Sequence, residues 1–491
     1  MAYFLPEYPV HHHENTGFLS GNYMQGEYNH QDFEDQRVRQ RAWEFEQKLR
    51  QGDFLFLDIF QVEELFNYYY DAGELIKAQR LIRFAIQTHP SSGELHHKQA
   101  QLYLDFGKLN QALTHIDIAL GFVPAHIEYT LLKADLLARQ EQYQASIHLL
   151  QQLFDTSAKP EEVYLQMGNV AQICRKPSES EKYYRRALKI APSYEDALFE
   201  LAFLFESEEQ LGQAVQLYQT HLETYPYAGP VWYNLGILYR KLGNYEKAIE
   251  AFEYAIVIQE SFASAHYNKG LLLMDLDRYQ EALQAFLEAS SLQPRDTHTM
   301  YHIAECFEQL EMYRDAIRYY SKATKIDPDY IDAWTGLGYC LEKREQYLEA
   351  IHYYQKAYQL DDENPDVCFS LAICEYKLGN QHGSYRYLEK AFSLNPTDSS
   401  LWQDWAQLLY EHQNFLGAVI YLEEGIKTNS SWVELYYQCA AYCLEAGWRD
   451  KGLMYLENGL IMNPEGHYLL FHINDDLRYD PAVVNLIKVY Q

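Results

Sequence analysis

A spacing of 34 residues recurs through most of the chain and limits its possible folds more than any other feature. Twelve consecutive segments of this length run from Ile59 to Gly466 without an insertion. Counted within each segment, position 8 is Ala or Gly in all but the first, which has Phe66, and position 20 is Ala, Ser or Gly throughout. Position 24 is always bulky. Such regularity is typical of an array in which one supersecondary unit is repeated and contacts its neighbours.

The residue pattern inside a segment predicts two antiparallel helices. Positions 4, 7, 8 and 11 share one face of a first helix, and positions 20, 24 and 27 share one face of a second. Small residues at positions 8 and 20 allow the two helices to approach closely. Gly at position 15 in five segments, such as Gly243, supplies the turn, and Pro at position 32 in eight segments ends the second helix.

This pattern resembles the tetratricopeptide repeat family in its spacing, small positions, bulky positions and terminal Pro. The resemblance implies an all-α fold, a right-handed superhelical solenoid of antiparallel helix hairpins with a long concave groove. The segment starting at Ile127 is the weakest, because Ala158 stands at position 32 and the proline is displaced to Pro160. We expect a looser joint near residues 153–160.

The two ends of the chain lie outside the repeat. Residues 1–32 show no periodicity, and we expect them to be mobile. Residues 33–58 are predicted to contain an N-terminal capping helix, over residues 33–50, which stops at Gly52. Residues 467–491 are predicted to form a C-terminal capping helix that starts at Asp480-Pro481. The twelve repeats occupy residues 59–466 between these caps.

Charge and motif content narrow the function. Seventy acidic against 40 basic side chains give a formal charge of −30, which disfavours nucleic acid and anionic lipid as partners and favours a basic or mixed-charge polypeptide. Glycine-rich phosphate loops and metalloprotease or serine-hydrolase motifs are absent, and the repeats leave little chain for an enzyme fold. We expect no catalytic residues and no cofactor.

The sequence also bears on location. No secretory signal or apolar stretch long enough to span a bilayer is visible, and cysteines at a 34-residue spacing, Cys306, Cys340 and Cys374, suit buried free thiols in a reducing compartment. We therefore expect the protein to be cytoplasmic.

Positions 5 and 6 supply the candidate binding residues. In related superhelical arrays, Asn at position 6 hydrogen-bonds the backbone of an extended peptide, and aromatic residues beside it give rigid contact area. The resemblance therefore implies a partner-binding groove surface on the following residues: Phe199, Tyr233, Asn234, Tyr267, Asn268, Tyr301, His302 and Phe369. The same residues are also what an average repeat of this family carries.

One weak metal candidate stands on the same surface. His298, His302 and Glu305 fall one helical turn apart on one face, which is a spacing that can hold zinc. The alternative is a wet polar patch, or a contact with a partner that depends on pH through histidine charge.

These observations favour a non-enzymatic scaffold that binds a partner polypeptide in or near its groove. Two other classes stay open, a structural or self-assembling repeat protein and a regulatory subunit of an enzyme on another chain. The sequence predicts neither the oligomeric state nor the partner's identity.

Overall fold

The computed structural model describes residues 27–51, 56–124, 126–155 and 159–490. Throughout those ranges every regular element is a helix, as the 34-residue pattern predicts. The chain divides into two compact units, Met1–His221 and Leu222–Gln491, and each is described by itself. The predicted mobility of residues 1–26 concerns a segment outside the described residues.

Within the described residues, twelve first helices and twelve second helices alternate along the repeats. The first helices are α2 (Ile59–Asp71), α4 (Gly93–Asp105), α6 (Ile127–Arg139), α8 (Pro160–Ile173), α10 (Glu195–Ser207), α12 (Gly229–Lys241), α14 (Ala263–Asp275), α16 (Thr297–Gln309), α18 (Ile331–Lys343), α20 (Pro365–Lys377), α22 (Ser399–Glu411) and α24 (Val433–Glu445). The second helices are α3 (Leu75–Thr88), α5 (Leu109–Phe122), α7 (Tyr143–Gln151), α9 (Pro177–Ile190), α11 (Leu211–Thr224), α13 (Tyr245–Ile258), α15 (Tyr279–Leu292), α17 (Tyr313–Ile326), α19 (Tyr347–Leu360), α21 (Gln381–Leu394), α23 (Phe415–Thr428) and α25 (Arg449–Met462). Each first helix except α8 begins at position 1 of its segment.

Position 8 is small because the side chain at position 24 of the same hairpin lies directly against it. A Cβ atom added at Gly236 would stand 2.7 Å from the Phe252 ring, and one added at Gly338 would stand 2.6 Å from the Tyr354 ring. Carbon atoms in protein interiors do not approach that closely. Wherever position 8 is Gly, position 24 is aromatic, in the pairs Gly168–Tyr184, Gly236–Phe252, Gly270–Phe286 and Gly338–Tyr354.

Position 15 takes a left-handed backbone conformation in all twelve turns. Five of these residues are Gly, with φ between 69° and 81°. The other seven carry side chains and have φ between 54° and 61°, a region that ordinary residues rarely adopt. Their turns keep the glycine geometry because the amide that follows still bonds back to the first helix, as Gln346 N does to Leu341 O at 2.9 Å.

The repeat is irregular at the joint predicted near residues 153–160. Helix α7 is only 9 residues long, and residues Gln152–Asp155 form a 3₁₀ turn where other second helices continue. Position 27 is Leu153 here, a large buried side chain where most other segments have a small one. The bulk at position 27 and the displaced proline both fall at this shortened second helix.

The N-terminal helix α1 (Glu27–Gln51) packs against the first hairpin. It begins at Glu27 instead of Phe33, so the predicted boundary between a mobile segment and a capping helix was placed too late. The intervening residues are mostly polar and contain no Pro or Gly, and Gly26 is the nearest helix breaker. Ala42 and Phe45 bury their side chains in the core shared with α2, and Tyr69 donates a hydrogen bond to the Ala42 carbonyl.

Two further helices follow the last hairpin, α26 (Tyr468–Ile473) and α27 (Pro481–Tyr490). Asp480 caps α27 by accepting a hydrogen bond from the Ala482 amide at 2.8 Å, which is the start that the Asp-Pro sequence predicts. Val483 and Ile487 are the buried side chains of α27, and its other face is open. Helix α27 packs against α25 of the last hairpin.

Candidate functional site

Aromatic and polar side chains of α12, α14 and α16 form a connected surface within the second unit. We call it the Tyr–Asn–His wall and define it as Tyr233, Tyr267, Asn268, Tyr301 and His302. These residues occupy positions 5 and 6 of three consecutive hairpins. The wall contains five of the eight residues that the family resemblance implicates in partner binding.

Asn268 links two hairpins of the wall. Its Nδ2 donates to the Tyr233 hydroxyl at 2.9 Å and to the Ser264 carbonyl at 2.9 Å. Both amide hydrogens of Asn268 are therefore used, and its Oδ1 is the atom that remains to accept from a ligand. Burial raises the pKa of Tyr233 to about 12, so its hydroxyl keeps its proton and can donate.

The rings of the wall pack mainly against the protein itself. Tyr233 lies 4.9 Å from Phe262 between ring centroids and is only 9% exposed. Tyr267 lies 5.6 Å from Phe286, and Tyr301 lies 5.3 Å from Tyr330. The wall is thus a rigid surface whose aromatic atoms are fixed before any partner arrives.

His302 joins the polar and aromatic parts of the wall. Its ring stacks on Phe286 with centroids 5.4 Å apart and lies 5.7 Å from Tyr267. Its Nδ1 is 3.0 Å from Glu305 Oε2. Because the carboxylate accepts, Nδ1 carries the hydrogen, and in the neutral ring Nε2 is an acceptor.

Carboxylates beside the wall make this surface acidic. Partial burial, and then the charge of Glu305, raise the pKa of Asp332. Burial likewise raises the pKa of Glu308, although hydrogen bonds from Tyr320 and Cys340 oppose that shift. Carboxylates whose pKa values are raised by burial and by one another are stabilised when a cation approaches.

Three predicted groove residues stand apart from this network. Phe199 belongs to the first unit and packs against Tyr218 at 6.2 Å. Phe369 packs against Trp405 at 6.4 Å between ring centroids. Asn234 donates to the Pro230 carbonyl of its own helix at 3.0 Å.

The run of polar side chains Asn234, Asn268 and His302 at position 6 of consecutive hairpins ends after His302 for a steric reason. Position 6 of the next hairpin is Gly336, and a Cβ atom there would stand 2.4 Å from the Tyr320 ring. The ring of Tyr320 therefore fills the place of a position-6 side chain. Sequence reasoning did not anticipate this interruption.

The metal candidate is not supported by the geometry. Within the described ranges there is no group of three or more His, Cys, Asp or Glu side chains arranged to hold a metal ion, so His298, His302 and Glu305 do not form one. His302 and Glu305 instead bond to each other, and His298 Nδ1 faces the Tyr330 hydroxyl at 3.5 Å. The helical spacing brought the residues to one face without converging their donor atoms.

Two half-buried carboxylates form a repeated layer that the sequence analysis missed. Glu308 accepts from the Tyr320 hydroxyl at 2.9 Å, and Glu342 accepts from the Tyr354 hydroxyl at 2.8 Å. In both cases the thiol at position 10 of the following hairpin is also within reach, at 3.6 Å for Cys340 and 3.8 Å for the corresponding Cys374. We call these contacts the carboxylate layer. The signal in the sequence was Glu at position 12 followed by Cys at position 10 of the next segment.

Family comparisons agree with this architecture. Profiles of the tetratricopeptide repeat match residues 97–162, 161–194, 230–262 and 331–364. A profile described as regulator of microtubule dynamics protein 1-3 matches residues 277–335. Paired helices in tandem define a helical-repeat solenoid. The matched segments place it more closely: the chain is a tetratricopeptide repeat protein.

Individual relatives cover only part of the chain. The tetratricopeptide repeat and J domain-containing co-chaperone DNJ1 of Mycosarcoma maydis is 28% identical over 92 residues, which is 19% of this chain and 16% of that protein. The tetratricopeptide repeat protein YrrB, which has an unusual peptide-binding site, is 19% identical, with a TM-score of 0.35 over 38% of this chain and 95% of its own. PilF of Pseudomonas aeruginosa is 20% identical, with a TM-score of 0.33 over 50% of this chain and 97% of its own.

In the described ranges, none of the helices combines the length and the apolar character needed to cross a bilayer.

Proposed function

We propose that this protein is a non-enzymatic scaffold that binds an extended segment of a partner polypeptide on the Tyr–Asn–His wall. The observation that carries the proposal is the paired arrangement of Asn268 and Tyr233. Asn268 offers an acceptor, and the Tyr233 hydroxyl offers a donor, to one backbone stretch. An extended peptide presents both an N–H and a C=O, so it can satisfy the two groups together.

The charge of the surroundings supports a basic or mixed-charge partner. Asp332, Glu305 and Glu308 lie beside the wall, and the whole chain carries a formal charge of −30. A Lys or Arg side chain on the bound segment would lower the free energy of these carboxylates in their ionised form. Nucleic acid is disfavoured by the same charge, because its phosphates would be repelled.

The wall residues are consistent with a binding role without catalysis, and the cysteines are consistent with a location in the cytoplasm. The wall residues are held by packing and by hydrogen bonds within the protein, and none of them is a nucleophile paired with a general base. Six buried cysteines have no disulfide partner, which favours a reducing compartment: Cys306, Cys340, Cys368, Cys374, Cys439 and Cys443.

Peptide binding to the full chain tests the proposal. Two dye-labelled pools of unstructured peptides of equal length, one rich in Lys and one rich in Glu, are titrated with the protein and followed by fluorescence anisotropy. We expect the Lys pool to bind more tightly. Asn268→Ala should weaken that binding about fivefold, because one hydrogen bond contributes about 1 kcal/mol.

The matched control lies on the second helix of the same hairpin. Gln284 is exposed and bonds to Glu288 one turn along its own helix, so Gln284→Ala should bind the Lys pool as the wild type does. Equal affinities of Asn268→Ala and Gln284→Ala would end the wall hypothesis, provided that both variants unfold at the wild-type temperature.

A second candidate function is self-association through α25 and α27. A groove of about 500 Å³ between these helices has an apolar lining that includes Leu453, Met454 and Val489. Exposed apolar surface of this kind marks protein interaction sites. Light scattering over a concentration series tests this candidate. A mass that rises with concentration in the wild type and not in Met454→Glu would favour it, and a constant monomer mass would exclude it.

A further inference from the structure

Four histidines cluster in the first unit around α4, and the sequence analysis did not single them out. We call His96, His97, His115 and His126 the histidine layer. His96 and His115 stack with ring centroids 5.2 Å apart, and their Nδ1 atoms are 3.0 Å from each other. His96 belongs to α4 and His115 to α5, so this contact joins the two helices of one hairpin.

The hydrogen bonds of His96 fix the tautomers of the pair. His96 Nε2 lies 3.3 Å from the Pro90 carbonyl, which can only accept. The Nε2 atom therefore carries the hydrogen, and Nδ1 of a neutral His96 is an acceptor. The hydrogen between the rings must then belong to His115 Nδ1. A proton added to His96 would set two N–H groups against each other at 3.0 Å and break the pair.

The other two histidines pack on one tyrosine of the next hairpin. His126 stacks on Tyr129 with centroids 3.9 Å apart, and His97 stacks on the same ring system at 4.9 Å. Tyr129 is buried and belongs to α6, so the His97 contact joins α4 to the following hairpin, and the His126 contact lies at the start of α6 itself. The Nδ1 atom of His126 is buried without a hydrogen-bond partner in this packing.

The charges around the layer mostly oppose protonation. Burial lowers the pKa of His115, and the neighbouring His96 and Arg83 of α3 lower it further. Burial also lowers the pKa of His97. There Glu128 of α6 acts in the opposite direction, whereas Lys98 and His126 add to the lowering.

We propose that the histidine layer is an acid-sensitive joint, in which proton uptake by these imidazoles at mildly acidic pH loosens α4 from α5 and α6. The sign follows from linkage. A histidine that stays neutral when packed contributes stability above its ordinary pKa, and that contribution is lost as the pH falls. The joint belongs to the first unit and is independent of the Tyr–Asn–His wall.

Hydrogen–deuterium exchange of the full chain tests the joint. Protection factors, corrected for intrinsic exchange at each pH, are compared at pH 7.5 and pH 5.5. At one pH unit below the ordinary histidine pKa, each imidazole that packing keeps neutral is expected to lower the protection factor about tenfold. We expect a drop of about that size for peptides covering residues 93–139 and none for residues 297–343. Equal protection of residues 93–139 at the two pH values would overturn the proposal.

Two variants locate the effect in the histidines. His115→Gln keeps an N–H donor for His96 but cannot take a proton, so the drop should shrink, whereas His352→Gln at an exposed position of α19 should leave it unchanged. If His115→Gln fails to fold at pH 7.5, His97→Phe replaces it, because Phe can keep the stack on Tyr129. If the variant that folds, His115→Gln or His97→Phe, shows the same drop in protection as the wild type, the proposal is also overturned.

Discussion

The histidine layer of the first unit and the carboxylate layer of the second bury opposite kinds of titratable group in the same repeat geometry. Around α4 and α5, burial lowers the pKa of His97 and His115. Around α16 to α19, burial raises the pKa of Glu308 and Glu342. The histidine layer therefore loses stability as the pH falls, and the carboxylate layer loses stability as the pH rises through the raised pKa.

The contrast shows that the repeat determines the backbone conformation, whereas the residues at a few positions determine how stability responds to pH. The small residue at position 8 and the left-handed turn at position 15 are shared by both regions. What differs is the residue at position 12, which is Glu342 in one hairpin and Leu104 in the other, and the residue at position 23, where His115 stands. In a repeat array such local differences act on the nearest neighbours only.

The largest expected effect separates the α18/α19 hairpin, where position 24 is the aromatic Tyr354, from the α4/α5 hairpin, where position 24 is aliphatic. Gly338→Leu would place a side chain inside the ring of Tyr354, since even a Cβ atom would stand 2.6 Å away. We expect a loss of about 3 kcal/mol in the free energy of unfolding, measured by urea denaturation followed by circular dichroism. Gly121→Leu is the control in the α4/α5 hairpin, because nothing lies within 4 Å of its Cβ position. A similar loss in both variants would contradict the packing explanation.

A smaller effect tests the direction in which pH changes the stability of the carboxylate layer. Glu342→Gln keeps an acceptor for the Tyr354 hydroxyl and removes a charge whose burial raises the pKa. The variant should be about 1 kcal/mol more stable than the wild type at pH 7.5, and the gain should vanish toward pH 4 as the wild-type carboxyl takes up its proton. Denaturation at the two pH values measures this. A loss of stability at pH 7.5 would show that the ionised carboxylate stabilises the layer.

The smallest effect compares the turns of the two hairpins. Gly107 has φ of 69° and Glu345 has φ of 60°, so only the second turn carries a strained side chain. Gly107→Ala should destabilise by about 1 kcal/mol, and Glu345→Gly should stabilise by about 0.5 kcal/mol despite the greater freedom of unfolded glycine. Thermal unfolding of both variants checks the opposite signs. Destabilisation by both substitutions would contradict the strain assigned to the Glu345 side chain.

Most of the fold followed from the sequence because helix pairing leaves a periodic record. Small residues at position 8 predicted the close contact, and the structure identifies its partner as the ring at position 24 wherever position 8 is Gly. Glycine at position 15 predicted five of the turns. The seven turns with side chains, such as the one at Glu345, were beyond prediction because their left-handed conformation is imposed by the helices on either side.

Less of the candidate site was predictable, since helical spacing fixes the face of a residue and not the direction of its donor atoms. It placed Tyr233 and Asn268 on the first helices of successive hairpins, and the structure adds that both amide hydrogens of Asn268 are already used. It placed His298 near His302, but His298 faces the Tyr330 hydroxyl and His302 bonds to Glu305. The histidine layer was missed because its members stand at four different positions of one segment, 4, 5, 23 and 34, and therefore do not recur at the repeat spacing.

The pairing of glycine at position 8 with an aromatic ring at position 24 governs how such hairpins can be recombined. A hairpin transplanted whole carries its own match, whereas exchanging only its first helix would set Gly338 opposite an aliphatic side chain. That mismatch leaves an empty space between the two helices. The natural module for shuffling segments of this chain is therefore the intact helix pair and not the single helix.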